Sequence, residues 1–519
     1  MTATVADTFV CLNRDTNQAL GIGRFACDFV SGAIGAPDKT VEHRTVQFFV
    51  DSVLCGLSAI ALGTNAPRVL REEALEYTCD GGAMIFGSNT SVATEKAVAA
   101  NASAVREWDS NGTNFGYNPT LGHTAGEFGH NDFYAVPIAA AQAGGLDGAA
   151  ALRGMICLDE IRGRLAEVFS LKTYKIDHVV HGAIASAAVY GAMLGATAEQ
   201  IESAIGMVVA HYIPWRAIRA GKQLSDSKGA SAAISTEVAI LSMKRSMRDF
   251  VGPKDIFRNP EAIWRQFEPT DGDSPFDLVL SHSGNDFSVM GMHFKLGLYE
   301  HQSAGALQGL IDLISANPNI LESPDSIQEI KIVAYEPAFG IIGDPAKRDP
   351  HTRQSADHSM VYIVSTMLRK AIDLAVDRGG TLGGGNDAWW KMLMLLPVDY
   401  GKEALHNQRT RGLMDTIVFE HGGDEYDCRY PDGIPTSVVI TLTDGTTLDS
   451  GLVMYPSGHA RNTSADLDDI LSHKAGVLGG IAMDDSSTVI ELFTSIGSLS
   501  HSELMSVMNF KIASRPPVD

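Results

Sequence analysis

The stretch Ile327-Gln-Glu-Ile-Lys-Ile-Val-Ala-Tyr335 is where the chain changes texture. Apolar and polar residues alternate there closely enough to specify a β-strand. No alternating pattern precedes about residue 325. Downstream, Val438-Val-Ile-Thr-Leu-Thr-Asp-Gly-Thr-Thr-Leu448 reads as a hairpin whose Asp444-Gly445 turn needs positive φ. A further short strand is expected over 416–420, and helical stretches over 360–376 and 388–394 lie between. Upstream the texture is helical. Val46, Phe49, Val50, Val53, Leu54 and Leu57 recur at spacings of three and four, on one helical face. Small residues crowd 93–105, 136–146 and 183–196, which lets helices approach closely around a buried centre. Helical patterning returns over 465–478 and 487–510. A chain of 519 residues is longer than the ~250–300 at which a single core stops growing. The expected fold is therefore mainly α with an α+β part: a large helical bundle over 1–290, completed by 465–519, interrupted by a smaller α+β lid domain over 291–464. A cleft between the two would suit a small molecule.

With 62 acidic against 40 basic residues the formal net charge is −22. Such a surface repels nucleic acid and anionic membranes, so neither is an expected partner. An anionic substrate would have to be met by cations gathered locally. The six cysteines, Cys11, Cys27, Cys55, Cys79, Cys157 and Cys428, form no C-x-x-C pair. This argues against a disulfide scaffold, structural zinc or an iron–sulfur cluster. Met1–Asp15 lacks a basic segment followed by an apolar one, and no apolar run reaches the ~20 residues of a membrane helix. The expectation is a cytoplasmic protein, with a mitochondrial matrix location left open.

Four polar groups interrupt the apolar surroundings. Arg106-Glu-Trp-Asp109-Ser-Asn-Gly-Thr113, followed by Gly129-His130-Asn-Asp132, is a Gly- and Asn-rich loop between two buried helices; it is either a functional loop or a cap in which Asp132 starts the next helix. Asp177-His178-Val-Val-His181 precedes a small-residue helix. Two histidines three apart could share a face, but no third ligand completes a metal motif. Arg216, Arg219, Lys222 and Lys228 put four cations in 13 residues. Lys228 opens an Ala-rich helix against its dipole, a cost that a bound carboxylate would offset, unless the segment is simply solvated. Lys295 and His301 stand where the helical part gives way, at a boundary facing the cleft or merely solvated. These residues describe a His- and Lys-lined, anion-binding cleft and name no reaction.

At the same places the sequence resembles the MmgE/PrpD family. Asp109, Thr113 and His130 match its Asp, Asp–Thr and His-Pro pattern; Ile176-Asp-His178-Val-Val matches its Leu-Asp-His-Val-Val. Arg219, Gly221, Leu224, Ser225, Lys228 and Gly229 match its Arg…Gly…Leu-Ser-x-x-Lys-Gly, and Lys295 with His301 its Lys…His. The stretch Gly343-Asp-Pro-Ala-Lys-Arg-Asp-Pro-His-Thr-Arg-Gln-Ser-Ala-Asp-His-Ser-Met-Val-Tyr362 is very similar to the Thr-Arg-Glu-Thr-Ala-Asp-His-Ser-x-x-Tyr signature of the dehydratase branch. Tyr455-Pro-Ser-Gly-His459 resembles a late Pro-x-Gly-His. The resemblance runs from about Val46 to Phe510. Gly112, Asn131, Ser227 and Lys222-Gln223 depart from the family pattern near the expected pocket.

The resemblance implies a helical domain with an α+β lid, a homodimer, a small tricarboxylate substrate, and no metal or organic cofactor. The implied activity is dehydration of 2-methylcitrate or a similar hydroxy-tricarboxylate, with decarboxylation of cis-aconitate type or dicarboxylate epimerisation as alternatives in the same pocket. His178, ahead of His130, is the expected base. The other histidine, or His301, would protonate the departing hydroxyl. Lys228 and Lys295 would stabilise charge building on the substrate, and Arg219 would anchor a remote carboxylate. Asp109 would orient the loop histidine, and Thr113 would bond a carboxylate.

Overall fold

The computed structural model describes residues 8–219, 223–377 and 384–518. Lys222 and Gly221, singled out above, lie outside these residues.

The helical half is organised around helix Val179–Met193, whose residues are buried on every side except at Ala192. A helix that is apolar all round is stable only when enclosed. Helices Gly148–Val168, Ala198–His211, Asp226–Ser246 and Gln18–Ser31 all pack against it. Small residues set the approach. A Cβ on Gly182 would lie 2.0 Å from the ring of Phe133, so only glycine lets the segment after His130 lie against the helix that follows His178. This contact couples two of the expected histidines.

Helix Lys39–Ala61 carries the stripe identified from its periodicity. It has the length and mean hydropathy of a membrane span, but 78% of that stretch is buried inside the protein, as in a core helix. The expectation that nothing reaches spanning length therefore holds only for uninterrupted apolar runs. The C-terminal helix Leu467–Ala482 returns to pack on it. There Lys474, buried, pairs with Asp51 at 2.7 Å and donates to the carbonyls of Ser110 and Lys295 at 2.7 and 2.8 Å. One ammonium thus ties the Asp109 loop to the Lys295 segment.

The strand expected at 327–335 forms over Ile327–Ala334, inside a four-stranded sheet ordered Ile417–His421, Ile327–Ala334, Thr436–Leu442, Thr447–Asp449. Ile330, Ile332 and Ala334 turn inward. Ile327 does too, out of phase, because the register shifts between Thr441 and Leu442: a bulge absorbs one residue. Ile417–His421 pairs parallel to Ile327–Ala334, which requires a long crossover; helix Met360–Asp377 lies within it. The expected hairpin is present, with Gly445 at φ 86°.

The expectation of no strands before residue 325 is corrected. Phe9–Leu12 pairs with Leu278–Ser281, Thr78–Met84 with Ser91–Val92, Ala36–Pro37 with Ser283–Gly284, and Thr113–Asn114 with Gly129–His130. These are two to seven residues long, and most are too short for alternation to register. The longest, Thr78–Met84, carries two glycines and no Val or Ile. The chain is mainly helical with small sheets.

Candidate active site

The loop between helices Thr94–Glu107 and Ala135–Gly144 is held by its own short ladder. Thr113 stands opposite His130, and Thr113 exchanges both backbone hydrogen bonds with His293, at 3.0 and 2.7 Å. Thr113 and His130 are thereby fixed side by side. His178 sits at the head of helix Val179–Met193, and its ring lies edge-on to that of His130, centroids 5.0 Å apart. Both line a pocket of about 520 Å³ of atom-free space, counting its open mouth. Thr113, Arg219 and His301 also line it. Five of the eight side chains singled out from the sequence therefore converge on one cavity.

The other three, Asp109, Lys228 and Lys295, are fully buried behind its lining. Lys228 is not solvated. Its Nζ donates to both oxygens of Asp357 at 2.7 and 2.9 Å, so the carboxylate that offsets a lysine in the first turn of helix Asp226–Ser246 belongs to the chain itself. Lys295 pairs with Asp109, which also faces Arg106 at 3.1 Å. Asp109 does not orient the loop histidine as expected: its carboxylate is committed to these cations, and the imidazole beside it is that of His358, at 3.4 Å. Nδ1 of His130 has no hydrogen-bond partner among the described residues. The hydroxyl of Thr113 donates to the carbonyl of Gly129 at 2.8 Å.

His358 connects the buried charges to the cavity. It lines the pocket, with Nδ1 2.7 Å from Asp357 Oδ1 and 3.3 Å from Nζ of Lys228. Asp357 and His358 lie inside the 343–362 stretch, whose residue pattern alone marks neither as a site residue. Lys228's need for a partner was the available signal. Arg353 of the same stretch pairs with Glu107 and stacks 4.8 Å over Trp108, and Ser355 accepts from the amide of Leu224 at 2.9 Å. The segment is thus pinned across two helix ends. Asp109, Asp357 and His358 bring three ligand-type atoms within 4.8 Å of one another. The carboxylates already accept from Lys228, Lys295 and Arg106, so this trio is built as an ion-pair network whose charge is matched within the chain.

Three cations line the cavity: Arg216, Arg219 and Lys347. Arg219 pairs with Asp177, whose Oδ1 is 3.4 Å from His178 Nδ1. Arg216 and Lys347 have no ion-pair partner among the described residues, and burial pushes both below their ordinary pKa. Burial also pushes His130, His178 and His301 well below the usual imidazole range, with cationic neighbours adding to it, and takes His358 down to about 3. All four rings are neutral at neutral pH and can accept a proton. Burial opposes the charge of Asp177, but Arg219 and then His178 hold it well below the carboxylate range. Glu300, also on the wall, is pushed up to about 7, first by burial and then by Asp109.

Residues 25–274, which carry most of these histidines and arginines, match the model of the MmgE/PrpD N-terminal domain. The matched segment supplies Thr113, His130, His178, Arg216 and Arg219, and the remaining wall comes from beyond it. Among similar proteins are the mitochondrial 2-methylcitrate dehydratase of Yarrowia lipolytica, 27% identical over 59% of this chain and 55% of its own, and the 2-methylcitrate dehydratase of Escherichia coli K12, 24% identical over 60% and 59%. An alkylcitrate dehydratase of a fungal species is 25% identical over 58% of this chain and 56% of its own. The chain thus spans a little over half the length of these curated relatives.

Proposed function

We propose that the protein is a hydro-lyase that dehydrates 2-methylcitrate, or a closely similar hydroxy-tricarboxylate, by general acid–base elimination without a metal or organic cofactor. One observation carries the reading: two buried histidines, His130 and His178, with ring centroids 5.0 Å apart, share a cavity with Arg216, Arg219 and Lys347. The names of the relatives support it.

Elimination begins with loss of a proton next to a carboxylate that is already negative. Charge then builds on that carboxylate. Preorganised cations stabilise it more in the transition state than in the ground state. Arg216 and Lys347 suit this, with Arg219 fixed by Asp177. His178 is the base. Asp177 faces its Nδ1, and Nε2 has no partner among the described residues, so Nε2 is left to take the proton. Lys228, Lys295 and Asp109 act from behind the wall through His358. Residues 291–464 serve as the lid, contributing Glu300, His301, Lys347 and His358 to a cavity whose other wall is built from the Thr113–His130 ladder, His178, Arg216 and Arg219.

The test is a panel of 2-methylcitrate, citrate, cis-aconitate and an epimerisable dicarboxylate, run with and without chelator and followed by absorbance of the new conjugated C=C bond and by product analysis. Chelator-resistant conversion of 2-methylcitrate is expected. Loss of carbon dioxide from cis-aconitate, epimerisation alone, or rescue by one metal would replace this reading.

A further inference from the structure

Expulsion of a hydroxyl needs a proton, and the pocket's histidines are poorly suited to give one. Burial keeps His130, His178, His301 and His358 uncharged at neutral pH. A donor must instead be a group that still holds an acidic proton there and faces the same space.

Glu300 lies on that wall, at the head of the short turn His301–Ser303. Its backbone is fixed on both sides of the buried charge network: the amide of Tyr299 donates to the carbonyl of Asp109 at 3.0 Å, and the amide of Glu300 donates to that of Asp357 at 2.9 Å. Oε2 accepts from the amide of Gln302 at 2.8 Å. Oε1 has no hydrogen bond to any described residue. One oxygen of a side chain that lines the cavity is thus held by a backbone amide, and the other is not. The charged groups that face it are Asp109, which favours its protonated form, and Lys295, Lys347 and Arg216, which oppose it; Tyr335 and Tyr430 stand nearby. Burial outweighs the cations, and the carboxyl titrates at about 7.

We propose that Glu300 is the general acid of the elimination, giving its carboxyl proton to the departing hydroxyl. This rests on the dehydratase reading. His178 takes the proton from carbon, and that C–H electron pair becomes the second bond of the alkene. The C–O bond breaks with its electron pair on oxygen, which takes the proton of Glu300 and leaves as water. Glu300 ends as carboxylate and His178 as imidazolium. Transfer of one proton between them, through solvent, resets the site.

The test compares the parent with Glu300→Gln on 2-methylcitrate and on its analogue bearing fluorine in place of the leaving hydroxyl. Fluoride needs far less help from a proton. Turnover of 2-methylcitrate should fall about 10²–10⁴-fold, the usual contribution of a positioned acid, while fluoride release falls less than about 10-fold. The decline of parental kcat above about pH 7 should vanish in Glu300→Gln and persist, at a lower rate, in Glu300→Asp. Fluoride release by the Gln variant also reports that its site is folded. Equal losses on both substrates, or a parental pH decline that survives in Glu300→Gln, would overturn the assignment. A parent that converts neither compound would instead overturn the dehydratase reading itself.

Discussion

The carboxylate of Asp177 stands between two partners: Oδ1 lies 3.4 Å from Nδ1 of His178, and Oδ2 accepts from Nε of Arg219. One buried side chain thus faces the proposed base and holds a pocket cation. Asp177→Asn should therefore act on both. kcat should fall on the order of 10²–10⁴-fold through the misplaced imidazole, and KM should rise through the released Arg219. Steady-state kinetics check this. An unchanged kcat would mean that Asp177 does not position the base.

His178 and His181 lie three residues apart and do different things. His181 does not line the pocket; its Nε2 lies 3.1 Å from the carbonyl of Phe169. His181→Gln should lower the melting temperature and leave kcat within about twofold, since it removes no group from the reaction. His178→Gln should do the reverse, cutting turnover about 10²–10⁴-fold with little change in melting. Thermal melts beside kinetics separate the two.

Lys228 and Asp357 form a pair with no exposure to solvent. Lys228→Met strands a buried carboxylate, which costs about 3–5 kcal/mol. The variant should melt lower as well as lose activity. Lys228→Met combined with Asp357→Asn should recover much of the stability, and a double-mutant cycle in melting measures the coupling. Additive losses would mean that the pair is not coupled.

Acid should destabilise the fold before it reaches the carboxylates. Burial lowers His181 to about 4 and His358 and His459 to about 3, against about 6.5 in an unfolded chain. Below about pH 6.5 the unfolded state takes up protons that the native state does not, so stability falls with pH. Asp177, held low in the fold, keeps its contribution until far more acid conditions. The melting temperature should drop steadily from about pH 7 to about pH 5, and less steeply in His181→Gln. A flat profile would mean that these rings are not buried as neutral groups.

The helices were legible in the sequence because one-sided burial writes its period into it, as over Val46–Leu57. The sheet was legible at Ile327–Ala334 and at the Gly445 turn for the same reason. The Thr113–His130 ladder was not, because two-residue strands carry no period, although it is what sets those side chains together. The partner of Lys228 was hidden by distance: Asp357 is 129 residues away, and a lone lysine at a helix start shows a need for an anion without showing its source. The donor and acceptor roles of the histidines depend on how deeply each is buried, which residue type alone does not state.

As the proposed base, His178 removes a proton from carbon next to a substrate carboxylate. This step is followed by incubating the parent and His178→Gln with 2-methylcitrate in deuterium oxide and measuring deuterium at the α-carbon of the recovered substrate. The parent should show wash-in, and the variant should lose it by about 10²-fold or more. Exchange at the parental rate in His178→Gln would contradict this role and leave His130 as the base.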